Sequence, residues 1–295
     1  MVLMDEIFVY AVLIVLGLMF GSFAGASVWR LRARQLVADK ADGETIDKKE
    51  YKKLLPLTKA SVRTDRSQCL HCGHVLAWYD LLPLASWVGL GGKCRYCRTK
   101  IGWFEPLMEV GVAGFFVLSY LLWPTDLLTM TAIFQFILWL ISGVLLAILF
   151  AYDLKWFLLP DVIVFPLVGI GGLVAISKVI TAQHPVETLF SIAGSVVILS
   201  GMYYVLHKIS KGQWIGFGDV KLGLALGLLL SDWQLAFIAL FAANLIGCLI
   251  VIPGMAMHKL TRTSRVPFGP FLIIGTVVAA IWGPMLINLY FTLSF

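Results

Sequence analysis

Two aspartates and four cysteines are the residues of this sequence whose types and spacing could do chemistry. Asp153 stands in "DLKWFLLPD" (153–161) and Asp219 in "GFGDVKLG" (216–223), each at the edge of a long apolar run. Two carboxylates brought together from different segments in a partly apolar cleft cannot both ionise easily, and they share one proton. In such a pair the ionised member activates water while the protonated member polarises a carbonyl, which is aspartic-peptidase chemistry. Gly216 and Gly218 suit that reading, because backbone without side chains lets an extended peptide approach closely. The same two acids also suit a proton or ion relay in a transporter. Spacing alone leaves both readings open.

The cysteines form two C-x2-C pairs, "CLHC" (69–72) and "CRYC" (94–97). Each pair can present two thiolates to one ion, and together Cys69, Cys72, Cys94 and Cys97 supply a four-thiolate site for zinc. Disulfides are the alternative, but a loop inside the cell is kept reduced. Four protein thiolates leave no open position for a catalytic water, so the expected zinc is structural. His71 and His74 flank the first pair and read as exposed polar residues. Cys248 lies in an apolar run and reads as a small packing residue.

The elements that must position these groups follow from composition. Sixty per cent of the residues are hydrophobic and 14% charged, against roughly 25% charged in a soluble domain. Apolar stretches near the ~20 residues of a bilayer-crossing helix recur along the chain. The expected fold is an all-α polytopic membrane protein with about eight transmembrane helices, at 7–29, 105–123, 131–151, 161–180, 187–207, 219–231, 233–253 and 270–292. The sixth is short and glycine-rich, so it is expected to tilt or to form a tight hairpin with the seventh. Trp123, Trp156, Trp214 and Trp233 fall near helix ends, where an amphipathic ring prefers to sit.

Charge sets the expected orientation. Fifteen of the 23 Lys+Arg lie between Arg30 and Lys100. With the N-terminus outside, the inner segments collect these together with Lys155, Lys208, Lys211, Lys221, Lys259, Arg262 and Arg265, leaving Lys178 near an outer end. The basic cluster therefore points to a cytoplasmic loop facing anionic lipid rather than to nucleic acid. Both termini are expected outside, and both aspartates at the inner face. The start "MVLMDEIF" is acidic and leads into a full-length apolar run, which reads as an uncleaved first helix. The organisation that follows is a first transmembrane helix (1–29), a cytoplasmic loop with the four-cysteine zinc module (30–104), and a seven-helix membrane core (105–295). Asp161, after "LLP" and before "VIVFPL", reads as a helix N-terminus.

These residues together resemble the bacterial type IV prepilin peptidases, also called prepilin leader peptidase/N-methyltransferases, of the G-x-G-D intramembrane aspartic peptidase class. The resemblance covers nearly the whole chain. "GSF" (21–23) with Arg30, the cysteine loop "CLHC…WYDLLPLASWVGLGGKCRYC", "EPLMEV" (105–110), "DLKWFLLPD", "GFGD" (216–219) and "PFGPFL" (267–272) occur in the family's order. The stretch "GSFAGASVWRLRA" lacks the asparagine and proline that the family often has there, and "SQCL" lacks a proline after its cysteine.

The resemblance implies that Asp153 and Asp219 are the catalytic pair of an intramembrane aspartic endopeptidase of the bacterial inner membrane. Its substrates would be type IV prepilins or type II secretion pseudopilins, cleaved after Gly between a basic leader and an apolar mature segment. Gly216, Gly218, Asp161, Glu105 and Glu109 are the candidate substrate contacts. The family also methylates the new N-terminal amine with S-adenosylmethionine. No strand–glycine-loop–helix signature for a dinucleotide-type fold is present, so a donor site would lie between loop and helices. Glu105 and Glu109, one turn apart, could hold an amine or a cofactor ammonium; a solvated helix start paired with loop arginines is the other reading.

Overall fold

A computed structural model describes residues 2–58, 66–259, 261, 264 and 266–294. Lys59, Arg63, Arg262 and Arg265, counted above toward orientation, lie outside the described residues. Among those described, the fold is helical, with no strand beyond two isolated bridges. Among the described residues seven helices are long and apolar enough to cross a membrane, which makes this a multi-pass membrane protein. The chain divides into two compact units, Met1–Val117 and Leu118–Phe295.

In the first unit, α1 (Val2–Ala41) continues well past Trp29, where the apolar run ends. Residues 30–41, "RLRARQLVADKA", contain no Gly or Pro and are mostly strong helix formers, so nothing stops the helix at the end of its greasy part. The extension is amphipathic. Its Ala33 and Leu36 bury against Leu54 and Leu57, and Trp29, Ile46, Tyr51 and Leu70 close the cluster. Leu54 ends α2 (Lys48–Leu54), whose start is capped by Asp47 accepting from the Lys49 and Glu50 N–H groups at 2.7 and 3.2 Å. Arg32 of α1 donates to Glu50 at 2.8 Å. At about 1.5–3 kcal/mol for each fully buried large side chain, so small a core leaves the following loop in need of another staple. That loop holds α3 (Ala85–Gly89) and leads into α4 (Phe104–Leu121).

The second unit contains α5 (Met130–Trp156), α6 (Asp161–Thr181), α7 (Pro185–Val196), α8 (Met202–Ile209), α9 (Phe217–Leu230), α10 (Trp233–Ala256) and α11 (Gly269–Ser294). A π-helical segment, Val197–Gly201, joins α7 to α8 in one membrane-length run. α9 is the short sixth helix expected from the sequence. Its 14 residues span about 21 Å, less than the ~30 Å hydrocarbon layer.

Neighbours support α9 along its length. Ser195 and Ser200 donate to the Gly227 and Val220 carbonyls at 2.8 and 2.9 Å. Gly223 sets its bare face against the Leu199 carbonyl of the π segment, where a Cβ would collide with backbone. Lys178 donates to the Leu230 carbonyl at 2.7 Å, a cation at a helix C-terminus. Ser231 then turns the chain through a left-handed conformation, and Asp232 caps α10 by accepting from Gln234 and Leu235 N–H at 2.8 and 3.0 Å. A two-residue turn thus joins α9 to α10, while α9 packs chiefly on α6 and α10 on α11.

Candidate active site and metal centre

Asp153 lies in the last turn of α5 and is buried, 5% exposed. An acid there opposes its own helix dipole, but a second helix compensates: Gly269, first residue of α11, donates its N–H to Asp153 Oδ2 at 3.0 Å. A Cβ on Gly269 would sit 2.6 Å from that oxygen, so only glycine lets the helix start come this close. After Asp153 the chain leaves α5 through Phe157, which adopts a left-handed conformation at φ 57°. Leu158 to Pro160 then lead into α6.

Asp219 occupies the first turn of α9, whose N-cap is Gly216. The Asp219 N–H bonds back to the Gly216 carbonyl at 3.2 Å, and Asp219 Oδ2 lies 3.5 Å from where a Cβ of Gly216 would be. Asp153 and Asp219 lie within range of each other's charge. Leu159 stands between their glycines. Its side chain is 3.3 Å from where a Cβ of Gly218 would be and 3.4 Å from that of Gly269. Each carboxylate therefore lies at the positive end of a helix, Asp153 at the start of α11 and Asp219 at that of α9, with Leu159 touching both helix starts.

The other expected contacts are placed as follows. Gly216 is exposed, whereas the bare face of Gly218 meets Leu159. Asp161 begins α6 and forms an ion pair with Lys221 of α9. Glu105 and Glu109 lie in α4, in the first unit. Glu105 accepts from the Trp29 indole N–H at 3.2 Å, and Glu109 from the Leu84 N–H at 2.8 Å. Gly269, Leu159 and Tyr203 are not assigned by the sequence reading. Tyr203 is 2% exposed, packs its ring on Phe268 at 5.3 Å, and lies within reach of the Asp219 charge. Gly269 and Leu159 fall inside the quoted stretches "PFGPFL" and "DLKWFLLPD", and no stretch singles out Tyr203.

The four cysteine Sγ atoms lie within 4.8 Å of one another, and Cys69 to Cys97 is 3.9 Å. That is far from a ~2.05 Å disulfide and close to the ~3.8 Å edge of a tetrahedron with ~2.3 Å metal–sulfur bonds. The two halves repeat one design. Cys69 N–H bonds to the His74 carbonyl and Gly73 N–H to Cys69, each at 2.9 Å; Cys94 N–H bonds to Thr99 and Arg98 N–H to Cys94 at the same distance. Gly73 and Arg98 hold the matching left-handed turns at φ 71° and 60°. Burial pushes the Cys94 thiol up, while the Thr99 hydroxyl and N–H pull Cys97 down to about 6. The arrangement fits one tetrahedral metal ion.

Asp80 ties the loop together. It accepts from Arg95 at 2.7 Å, Tyr96 at 3.0 Å and the Ala77 N–H at 3.3 Å. Burial opposes its ionisation, but Arg95 and Tyr96 outweigh burial and hold the carboxyl below its usual range.

Comparison with known proteins places these features. Residues 15–123 match the bacterial peptidase A24 N-terminal domain, and residues 139–252 match the type IV leader peptidase family. A "Type 4 prepilin-like proteins leader peptide-processing enzyme" of Escherichia coli O78:H11 is 30% identical, over 88% of this chain and 89% of its own length. The chain belongs to the type IV leader peptidase family. Two further members, each named "Prepilin leader peptidase/N-methyltransferase", are 28% identical. The one from Aeromonas hydrophila aligns over 96% of this chain and 94% of its own length, the one from Pseudomonas aeruginosa over 94% and 91%. No solved structure matches. Within the leader-peptidase match lie Asp153, Asp161, Gly216, Gly218 and Asp219. The A24 N-terminal match holds the four cysteines, Glu105 and Glu109, and Gly269 falls beyond both.

Proposed function

We propose that this leader-peptidase family member is an intramembrane aspartic endopeptidase that removes the basic leader of type IV prepilins or type II secretion pseudopilins after Gly. The meeting of Asp153 and Asp219 at two helix N-termini, in a chain of this family, carries the reading. One carboxylate takes a proton from water as the oxygen attacks the scissile carbonyl, and the other gives its proton to the carbonyl oxygen. Collapse of the tetrahedral adduct breaks the C–N bond, and the amine leaves with a proton from the pair. Gly216 leaves open backbone for the extended peptide, and Asp161 with Lys221 borders its path.

The pair acts at the cytoplasmic face of the bacterial inner membrane, with both termini outside. The positive-inside distribution and a substrate whose basic leader stays in the cytoplasm support this orientation. Functionally the chain comprises a first span (1–29), a cytoplasmic loop (30–104) and a seven-helix core (105–295). Cys69, Cys72, Cys94 and Cys97 hold one structural zinc ion, which clamps the two halves of the loop. The donor set and its spacing support zinc.

The relatives' names support a second step, N-methylation of the product. The deprotonated N-terminal amine gains an N–C bond to the methyl group of S-adenosylmethionine, and the S–C bond breaks with its electron pair on sulfur. Incubating the purified protein with a prepilin, with and without S-adenosylmethionine, and weighing the product tests both steps. The mature chain should appear in either case and carry one added methyl only with the donor. An uncleaved prepilin would overturn the peptidase reading.

A further inference from the structure

We propose that residues 75–92, between the two cysteine pairs, form a re-entrant membrane anchor. Its tip at 81–88 lies among lipid acyl chains and its aromatic flanks at headgroup level. The sequence already sets this stretch apart. "VLAWYDLLPLASWVGLGG" carries a single charge, that of Asp80, inside the segment that holds fifteen of the 23 Lys+Arg. Asp80 is neutralised on the spot: it pairs with Arg95 at 2.7 Å, and its side chain is 4% exposed. The uncharged part, 81–92, falls short of a span and has the size of a re-entrant or interfacial segment.

The structure turns its apolar side chains outward. Leu81 and Leu82 are exposed, Trp78 and Val88 strongly so, at 75% and 68%. Water is a poor neighbour for so apolar a surface. The backbone, by contrast, is ready to leave water. Pro83 has no N–H to satisfy. The Ser86, Val88 and Leu90 N–H groups bond to the carbonyls of Leu82, Leu84 and Ser86, and those of Gly91 and Gly92 to Val88 and Trp87, all at 2.8 to 3.1 Å. Leu84, at φ 54°, stands outside this pattern, and Glu109 supplies its acceptor at 2.8 Å. Irregular backbone persists at membrane depth only where protein groups satisfy it in this way.

The Leu84–Glu109 bond also fixes the depth. α1 and α4 approach so closely that a Cβ on Gly21 would overlap Glu109 Cα, so these two residues are level. Nine residues, about 13 Å of helix, separate Gly21 from Arg30, the first charge after the apolar run of α1. Helical side chains lean toward the start of their helix, which brings the Glu109 carboxylate back by about one turn. That carboxylate, and Leu84 with it, lie roughly 8 Å inside the level of Arg30. At the other end of the stretch Trp87 packs on Trp103, just before α4, with ring centroids 4.6 Å apart. Such rings prefer the membrane interface. With a cysteine pair on either side, an anchored tip holds the cysteine module against the membrane surface.

The test uses the full chain in lipid nanodiscs. One sample contains phosphatidylcholine with a diazirine in the middle of an acyl chain, and a second carries the diazirine on the headgroup. After irradiation, peptide mass spectrometry should find the acyl-chain label in 81–90 as well as in α4, and not in α2. Leu82→Asp together with Val88→Asp should cut acyl-chain labelling of 81–90 about tenfold, because the acyl layer expels a carboxylate, and leave that of α4 unchanged. Headgroup label alone in wild-type 81–90 would overturn the anchor and make the stretch a surface contact. Photo-leucine cross-links from 81–90 to 118–295 in place of lipid label would overturn it as well and give that face to the second unit. Acyl-chain labelling that survived in the double variant would contradict insertion by the tip.

Discussion

The carboxylate of Asp153, at the end of α5, accepts the first backbone N–H of α11, that of Gly269, at 3.0 Å. Two helix ends of opposite polarity are thus joined at an acid that would otherwise face only the negative end of its own helix. Asp219 stands in the first turn of its own helix, its N–H bonded to the Gly216 carbonyl. Both carboxylates are thus fixed at helix starts, and a backbone donor has little freedom to drift. Preorganisation of this kind is what proton transfer in a shared pair requires.

Gly269→Ala should damage leader cleavage by about a hundredfold while the protein still folds, because the new methyl displaces Asp153 and an ångström of misplacement costs that much. A Cβ there would lie 2.6 Å from Oδ2. Single-turnover cleavage and thermal unfolding, measured side by side, check this. Wild-type cleavage by the variant would mean that the close approach has no bearing on the chemistry.

The Asp161–Lys221 pair joins α6 to α9 at a partly exposed place, with side chains 51% and 23% exposed. Exposed pairs contribute under about 1 kcal/mol. Asp161→Asn should therefore lower stability slightly and cost far less activity than loss of either member of the proposed pair. A melting curve and a cleavage assay on the same preparation decide it.

Metal analysis should find one zinc ion per chain, lost on replacing Cys69, Cys72, Cys94 or Cys97. Chelation should open the 66–103 region to protease before any helix of the second unit, since the loop has little core of its own. Methyl transfer should fail with it. A metal-free protein that keeps a protease-resistant loop and full activity would contradict the zinc assignment.

Asp80 gives a pH dependence of known sign. Its folded carboxyl lies below the usual range, so its stabilisation is fully present above about pH 4 and is lost as pH falls through the folded value. The melting temperature of the wild type should exceed that of Asp80→Asn at neutral pH. The gap should close in acid, and a gap that widened there would refute this role.

The two acids, the cysteine pairs and the short sixth helix were legible because each is a local pattern: an acid beside an apolar run, a fixed spacing, a count of apolar residues. The shortness and glycines of α9 left a tilt or a hairpin with the seventh helix as alternatives, and the turn itself carried no separate signal. The α1 extension to Ala41 was not legible, because hydropathy reports where a helix leaves the bilayer while helix propensity decides where it stops. Gly269 was beyond reach for another reason. Its bond to Asp153 crosses 116 residues of sequence, and no periodicity records a pairing that only tertiary packing creates. Leu159, in the α5–α6 connection, and Tyr203, in α8, look like any other apolar-segment residues until α5, α8, α9 and α11 are assembled.

The central claim is that Asp153 and Asp219 work as one catalytic pair, and single-turnover cleavage of a prepilin by Asp153→Asn and Asp219→Asn enzymes tests it most directly. Asparagine has the size of aspartate and, at 153, keeps an oxygen to accept the Gly269 N–H, so both variants should fold and elute like the wild type. Intact mass should show the leader still attached in each, with the double variant no worse than either single one, because residues acting as a unit are not additive. Near-normal cleavage by either single variant would contradict the account.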